Sequence, residues 1–328
     1  MDKQNTEAKA DYNKPVRYFL MLLVAVILVS GFSLYLYQTK FAATDTQKHQ
    51  GKDRAFEGGK FEASGVAQVR GTNAVLFVDD GRPGEVLWMQ LDPNGNQSGD
   101  IKAVKLGVNI EDPEGITTDG DHFYIVGSQS KGKSSDRDGI IRFKFNPEDQ
   151  SVETVETISG VKRFLLENIT ELKDLGGRKA KDDGLNIEGI AWDPQGQKLL
   201  LGLRSPVIDG HALAIALKLR DPSGPFSSEN LDLTDAKAIR LSLGGLGIRS
   251  IEFDDRSKVF RIIAGATENQ DKTDFTLWEW SGEESRSSLR EVSTFDRKLK
   301  PEGVTHASIG GSDFTFIVFD TSRYLKMD

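Results

Sequence analysis

The sequence predicts an all-β ring of short antiparallel units, a β-propeller of five blades, with six blades and a two-sheet sandwich as the alternatives. Three observations lead there. A Glu-Gly step recurs where strands begin: Asp112-Pro113-Glu114-Gly115-Ile116-Thr117, Asn186-Ile187-Glu188-Gly189-Ile190-Ala191 and Lys300-Pro301-Glu302-Gly303-Val304-Thr305. Glu62-Ala63-Ser64-Gly65-Val66-Ala67 and Ile248-Arg249-Ser250-Ile251 complete the set as variants. A repeat at a period of about 50 residues marks an array of equivalent units. Turn residues also punctuate short β-rich runs, as in Val75–Val78 before Asp79-Asp80-Gly81 and Val86–Leu91 before Asp92-Pro93-Asn94-Gly95, the pattern of an all-β chain. Finally, each unit has the same order of four runs, the last more polar, which suits a blade whose outermost strand faces water.

The second unit is expected at Gly115–Thr118, Phe123–Val126, Ile140–Phe145 and Val152–Ile158. The third is expected at Gly189–Trp192, Lys198–Leu203, Ala212–Leu219 and Ala238–Leu243, and the fourth at Ser250–Phe253, Val259–Ala264, Phe275–Trp280 and Leu289–Thr294. A fifth unit begins at Glu302 with room for three strands before Asp328. A ring resolves this if residues near 52–60 supply the missing outer strand. Between the second and third units, Arg163–Leu175 places apolar residues at helical spacing and ends at Gly176-Gly177, which predicts a short helical insert.

Ahead of the ring, Tyr18–Tyr37 contains no charged residue. Twenty residues at 1.5 Å each span roughly 30 Å, a bilayer core. Tyrosines stand at both ends, and Lys14 and Arg17 precede the run. These features predict a signal anchor with residues 1–17 in the cytoplasm, 18–37 across a bacterial inner membrane, 38–58 as linker and 59–328 as a periplasmic propeller. A cleaved signal peptide is the rival reading, but Phe41-Ala42-Ala43 puts Phe where a small residue is preferred.

Composition narrows the chemistry. The net charge of −8 rests on a body with 37 basic against 47 acidic residues after position 40, the wrong sign for a nucleic-acid partner. Cysteine is absent, which excludes disulfides, thiolate metal sites and a cysteine nucleophile. No phosphate loop, zinc spacing or Gly-x-Ser-x-Gly elbow occurs.

In an antiparallel meander the end of the second strand lies beside the start of the first. One face of the ring should therefore collect the motif side chains and the second-strand ends, partly lidded by residues 161–184. Glu62, Asp79, Ser128, Arg204, Arg249 and Asp320 are the expected ligand-binding residues there. Glu114, Asn186, Glu188 and Glu302 offer hard oxygen donors suited to Ca²⁺. The same glutamates could equally form structural ion pairs with Arg204 and Arg249. His306, four residues after Glu302, is the candidate catalytic histidine; His49, His122 and His211 lie in linker or turn sequence.

The phrases Leu185–Trp192, Leu200-Leu201-Gly202-Leu203-Arg204-Ser205-Pro206 and Leu246-Gly247-Ile248-Arg249-Ser250-Ile251 resemble a bacterial propeller-like family of unknown function, over residues 60–325. The resemblance implies a propeller and no agreed activity, and where Gln129 stands it leads one to expect His. A looser similarity links the Glu-Gly steps to phytase-like esterases and lactonase propellers, which implies axial Ca²⁺ and ester hydrolysis. Two functions follow as expectations. One is a membrane-anchored propeller that binds a ligand or protein at its axial face; the other is a Ca²⁺-dependent hydrolase.

Overall fold

The computed structural model describes residues 47–48, 51–130, 139–270, 273–285 and 288–327, all within the compact unit Asp45–Asp328. The predicted membrane span 18–37 and the segment 1–17 lie outside the described residues. Among the described residues, no helix is long and apolar enough to cross a membrane.

Five sheets form, one for each predicted unit. Two short strands open the chain, β1 (Gln47–Lys48) and β2 (Arg54–Ala55). Blade 1 follows as β3 (Ala63–Gln68), β4 (Ala74–Asp79), β5 (Glu85–Gln90) and β6 (Lys102–Lys105). Blade 2 comprises β7 (Pro113–Thr118), β8 (Phe123–Gly127), β9 (Gly139–Asn146) and β10 (Ser151–Ser159). Blade 3 contains β11 (Asn186–Asp193), β12 (Lys198–Ile208), β13 (His211–Leu219), β14 (Leu231–Leu233) and β15 (Ile239–Leu241). Blade 4 is β16 (Gly247–Asp254), β17 (Val259–Gly265), β18 (Phe275–Trp280) and β19 (Leu289–Phe295). Blade 5 has β20 (Pro301–Ile309), β21 (Ser312–Phe319) and β22 (Arg323–Met327).

The ring closes as the strand count required. β2 pairs antiparallel with β22, Arg54 opposite Tyr324, and becomes the outer strand of blade 5. Phe56 N donates to Ser322 O (3.1 Å), and Asp53 pairs with Arg323. β1 adds in parallel to β19 on blade 4. The amino-terminal segment thus runs along two blade edges that would otherwise be unpaired. In blade 3 the outer strand is double. β14 pairs with the end of β13 and β15 with its start, so the single expected strand at Ala238–Leu243 accounts for half of that edge.

Five apolar clusters occupy the five interfaces between neighbouring blades. Val66 and Phe77 meet Phe316 and Val318 between blades 1 and 5, and Leu76 and Val86 meet Phe123 and Ile125 between blades 1 and 2. The cluster between blades 2 and 3 takes in the insert. That insert is α1 (Val161–Asn168), then 3₁₀ turns at Thr170–Leu175 and Ala180–Asp182. The β-branched pair Ile169-Thr170 interrupts the expected continuous helix, with Ile169 extended at φ −94° and ψ 122°. Val161, Leu165, Ile169, Leu172 and Leu175 are buried in the interface.

The inner strands β3, β7, β11, β16 and β20 pack in sequence, and β20 returns to β3. Their approach explains the glycines of the motif. A Cβ on Gly65 would stand 2.7 Å from Gly115 Cα, one on Gly115 would stand 2.9 Å from Glu188 O, and one on Gly303 would stand 3.0 Å from Gly65. At blade 4 the residue is Ser250, and its hydroxyl accepts a hydrogen bond from Val304 N (3.1 Å). Gly65→Ala should therefore lower stability by about 1–3 kcal/mol through overpacking. Gly176→Ala, with open space around it, should shift the denaturation midpoint far less; equal shifts would show that the axial contacts do not set the motif.

Candidate functional site

Every inner strand carries a β-bulge at the same place. The pairing register slips between Ala63 and Gly65, Pro113 and Gly115, Ile187 and Gly189, Ile248 and Ser250, and Pro301 and Gly303. The skipped residues are Ser64, Glu114, Glu188, Arg249 and Glu302. A bulged residue leaves the alternation of its strand and re-aims its side chain. All five line one axial cavity of about 560 Å³, with Asp80, Arg204, Phe275, Lys300 and Asp320 around them.

The charges in this cavity are arranged unsymmetrically. On one side Arg249 clamps two carboxylates. Its Nε donates to Glu302 Oε2 (2.7 Å), its terminal nitrogen pairs with Glu302 Oε1, and Nε also stands 2.8 Å from Glu188 Oε2 without the alignment of a second hydrogen bond. Arg204 donates to Glu188 Oε1 (2.9 Å) and to Ala266 O (3.1 Å). Burial alone would depress Arg249, but Glu188 and Glu302 outweigh it and hold the guanidinium above its ordinary value. Burial pushes Glu302 up to about 7 against the pull of Arg249.

On the other side, at the junction of blades 1 and 2, Asp80, Asp112 and Glu114 bring carboxylate oxygens within 4.8 Å of one another. Ser64 Oγ donates to Asp80 and Ser128 Oγ to Asp112 (2.5 Å). Among the described residues no Lys or Arg forms an ion pair with any of the three. Removal from water, then the neighbouring carboxylates, push Glu114 well above its ordinary range. Removal from water pushes Asp80 up to about 7, offset in part by the Ser64 hydroxyl and reinforced by Asp112, Glu188 and Asp320.

The residues expected from sequence are thus divided. Glu114 joins the corner with Asp80 and Asp112, with no ion pair among the described residues, and feels Arg249 only at longer range. Glu188 and Glu302 are taken by Arg249, and Asn186 donates to Glu188 Oε1 (3.1 Å). Arg204, Arg249 and Asp320 line the cavity, where Lys300 Nζ pairs with Asp320. Ser128 holds Asp112 from behind. Glu62 is exposed and does not line the axial cavity, because Ser64 is the bulged residue of blade 1. Asp79 is buried as a turn anchor, accepting from Gly81 N (2.9 Å) and Glu62 N (3.1 Å); the two border a neighbouring cleft with Asp320. None of residues 161–184 lines the axial cavity, so the expected lid is a wedge between blades instead. His306 lies against Asp254 (3.8 Å) and Asp313 (3.5 Å), outside the axial cavity. The bulge at Glu302 breaks the alternation that would have aligned the two. Asp80 and Asp112 escaped the expected set because each is a turn residue beside a stronger signal, Asp79 or the Glu114 motif.

A further carboxyl spans non-adjacent blades. Thr117 Oγ1 on β7 donates to Glu252 Oε2 on β16 (2.9 Å), across β11 between them. Burial pushes Glu252 from 4.5 to about 8. A carboxyl raised on folding binds more protons folded than unfolded between those values. Its stabilising contribution is complete below pH 4.5 and lost as pH rises through about 8. Glu252→Gln should flatten the fall in stability over that window in urea titrations at several pH values; an unchanged slope would place the effect elsewhere.

A family model described as a protein of unknown function (DUF3616) matches residues 163–306. The match agrees with the resemblance to a propeller-like family of unknown function and with the five-bladed ring. No curated protein matches the chain. Similar solved structures include the PQQ domain of pyranose dehydrogenase from Coprinopsis cinerea, at 11% identity and TM-score 0.47, covering 87% of this chain and 99% of that one. Glutaminyl cyclase from Myxococcus xanthus is similar at 15% identity and TM-score 0.45, over 85% and 95% of the two chains. A putative oxidoreductase (glucose dehydrogenase) from Thermus thermophilus is similar at 11% identity and TM-score 0.45, over 85% and 100%.

Proposed function

We propose that this propeller is a binding protein whose axial cavity takes a small charged ligand, with a divalent cation, Ca²⁺ foremost, held at Asp80, Asp112 and Glu114. The observation that carries the proposal is the unequal pairing of the axial carboxylates. Glu188 and Glu302 have arginine partners, whereas the three acids at the blade 1–2 junction have none among the described residues. Oxygens bound to one Ca²⁺ at about 2.4 Å can stand at most about 4.8 Å apart, and the three carboxylates meet that condition. Hard oxygen donors from acids alone suit Ca²⁺ better than a softer metal. The Arg204–Arg249 side and the rim residues Arg297, Lys298 and Lys300 would then receive an anionic part of the ligand.

A second reading, Ca²⁺-dependent ester hydrolysis, is favoured by Asp80 alone. In this reading Asp80 is left off the cation, which Asp112 and Glu114 hold, and its carboxyl, raised to about 7 by removal from water, exchanges a proton near neutral pH. The binding reading also puts the ring in the periplasm on a single-pass anchor at residues 18–37, where the axial face would meet a Ca²⁺-accessible compartment.

The test is calorimetric titration of the full chain with CaCl₂ after chelator treatment. Binding is expected to release protons and to tighten as pH rises through about 7, because Asp80 and Glu114 must lose theirs. At 100 times Kd, Ca²⁺ should stabilise the fold by about 2.7 kcal/mol. Asp80→Asn with Glu114→Gln should abolish the heat, while Glu302→Gln should leave Ca²⁺ binding measurable. No heat and no melting shift in millimolar Ca²⁺ would defeat the metal assignment.

A further inference from the structure

A second cavity, of about 530 Å³, opens between blades 2 and 3 at the end of the ring away from the Glu114 motif. Its walls come from the β7–β8 and β11–β12 hairpins and from the loop between β13 and β14. Those hairpins leave the inner strands at the end opposite the bulges. The site therefore shares no lining residue with the axial cavity.

Its floor is aromatic. Tyr124 and Trp192 lie parallel, with centroids 6.1 Å apart and planes 2° from each other. Phe226 sits 6.1 Å from Tyr124, tilted by 58°. Aliphatic side chains of Ile140, Leu199 and Leu217 complete the base. A cavity of this size, apolar with a few fixed polar groups, is the form taken by small-molecule sites.

The polar groups are held in place. Asp119 accepts Tyr124 Oη–H (2.6 Å) through Oδ2, and the amides of Asp121 (2.8 Å) and His122 (2.7 Å) through Oδ1. Arg142 is fixed to Glu156 (2.6 and 2.9 Å) and covers the face of Phe226 at 4.4 Å. Trp192 Nε1–H makes no hydrogen bond among the described residues and is open to a guest, while Lys198 and Lys218 at the same wall face Asp193 (3.4 Å) and Asp232 (4.0 Å). Burial lowers His122 despite the opposing pull of Asp119.

The loop that carries Phe226 is preorganised. One side chain, Asn230, ties it from within. Its Nδ2 donates to Asp221 O (2.8 Å) and Pro225 O (3.0 Å), and its Oδ1 accepts Asp221 N (2.9 Å). The loop, which includes a 3₁₀ turn at Ser228–Asn230, thus holds an aromatic wall in place and lowers the ordering cost of binding.

We propose that this cavity binds a small planar aromatic or heteroaromatic molecule with a hydrogen-bond acceptor on its edge, stacked on the Trp192–Tyr124–Phe226 floor. An aromatic ring in an offset-stacked or edge-to-face arrangement with another gains stabilisation beyond its buried area, and the parallel Tyr124–Trp192 pair with tilted Phe226 offers surfaces for both. The Trp192 N–H meets the acceptor.

The probes are 2-naphthamide and its fully saturated decahydro analogue, which share a polar edge and differ in the ring faces. Each is titrated into the full chain, followed by calorimetry and tryptophan fluorescence. One site per chain is expected for naphthamide, with at least tenfold tighter binding than for the saturated analogue. Trp192→Leu, which keeps apolar bulk at a partly buried position, should weaken naphthamide at least fivefold while the chain still unfolds in one cooperative transition. Asp80→Asn should leave that affinity unchanged, which separates this site from the axial one. Equal affinity for both probes, no binding of either at millimolar concentration, or undiminished binding by Trp192→Leu would each overturn the proposal.

Discussion

The repeated β-bulge at the start of each inner strand is the constraint on which this molecule turns. A two-residue alternation would send successive side chains of an inner strand to the two neighbouring blades. Skipping one residue per strand lifts Ser64, Glu114, Glu188, Arg249 and Glu302 out of that alternation and into a common axial space. The glycine or serine that follows each one lets the next inner strand approach. Fold and site therefore come from one local device, and the axial charges are brought together without any loop having to reach inward.

Once five side chains converge, electrostatics decides what each can do. Three acids and one base cannot be buried together without cost, since an ionised group removed from water needs a partner. Arg249 reaches the acids of the blades on either side of its own, Glu188 and Glu302. Glu114 makes no ion pair with a base among the described residues, and at the blade 1–2 junction it meets Asp80 and Asp112. The two halves of the cavity thereby have different chemistry: a fixed ion-pair network, and a corner of clustered carboxylates in which removal from water holds Asp80 and Glu114 above their ordinary range.

Much of the architecture was legible from sequence because it depends on local signals. The four Gly-containing motifs and Ile248-Arg249-Ser250-Ile251 counted the blades, and the shortage of one strand after Glu302 pointed to closure by residues near 52–60. The site was less legible because a bulge shifts register by one residue and leaves little mark in composition. Strict alternation would bring Glu62 to the axis in place of Ser64 and align His306 with Glu302; the bulges at Ser64 and Glu302 undo both. Whether Glu188 holds a metal or an arginine depends on Arg204 and Arg249, and Arg249 lies on another blade; spacing alone gives no distance between blades. The insert at 161–184 has the same origin. Its apolar face is evident, but the interface that receives it exists only after blades 2 and 3 have packed.

The most direct measurement is anomalous diffraction from crystals of the protein grown with Tb³⁺ as a Ca²⁺ substitute. The account predicts one strong axial peak bounded by Asp80, Asp112 and Glu114, with Arg249 still clamped between Glu188 and Glu302. A peak at Glu188 and Glu302 with Arg249 displaced, or no axial peak at all, would contradict it.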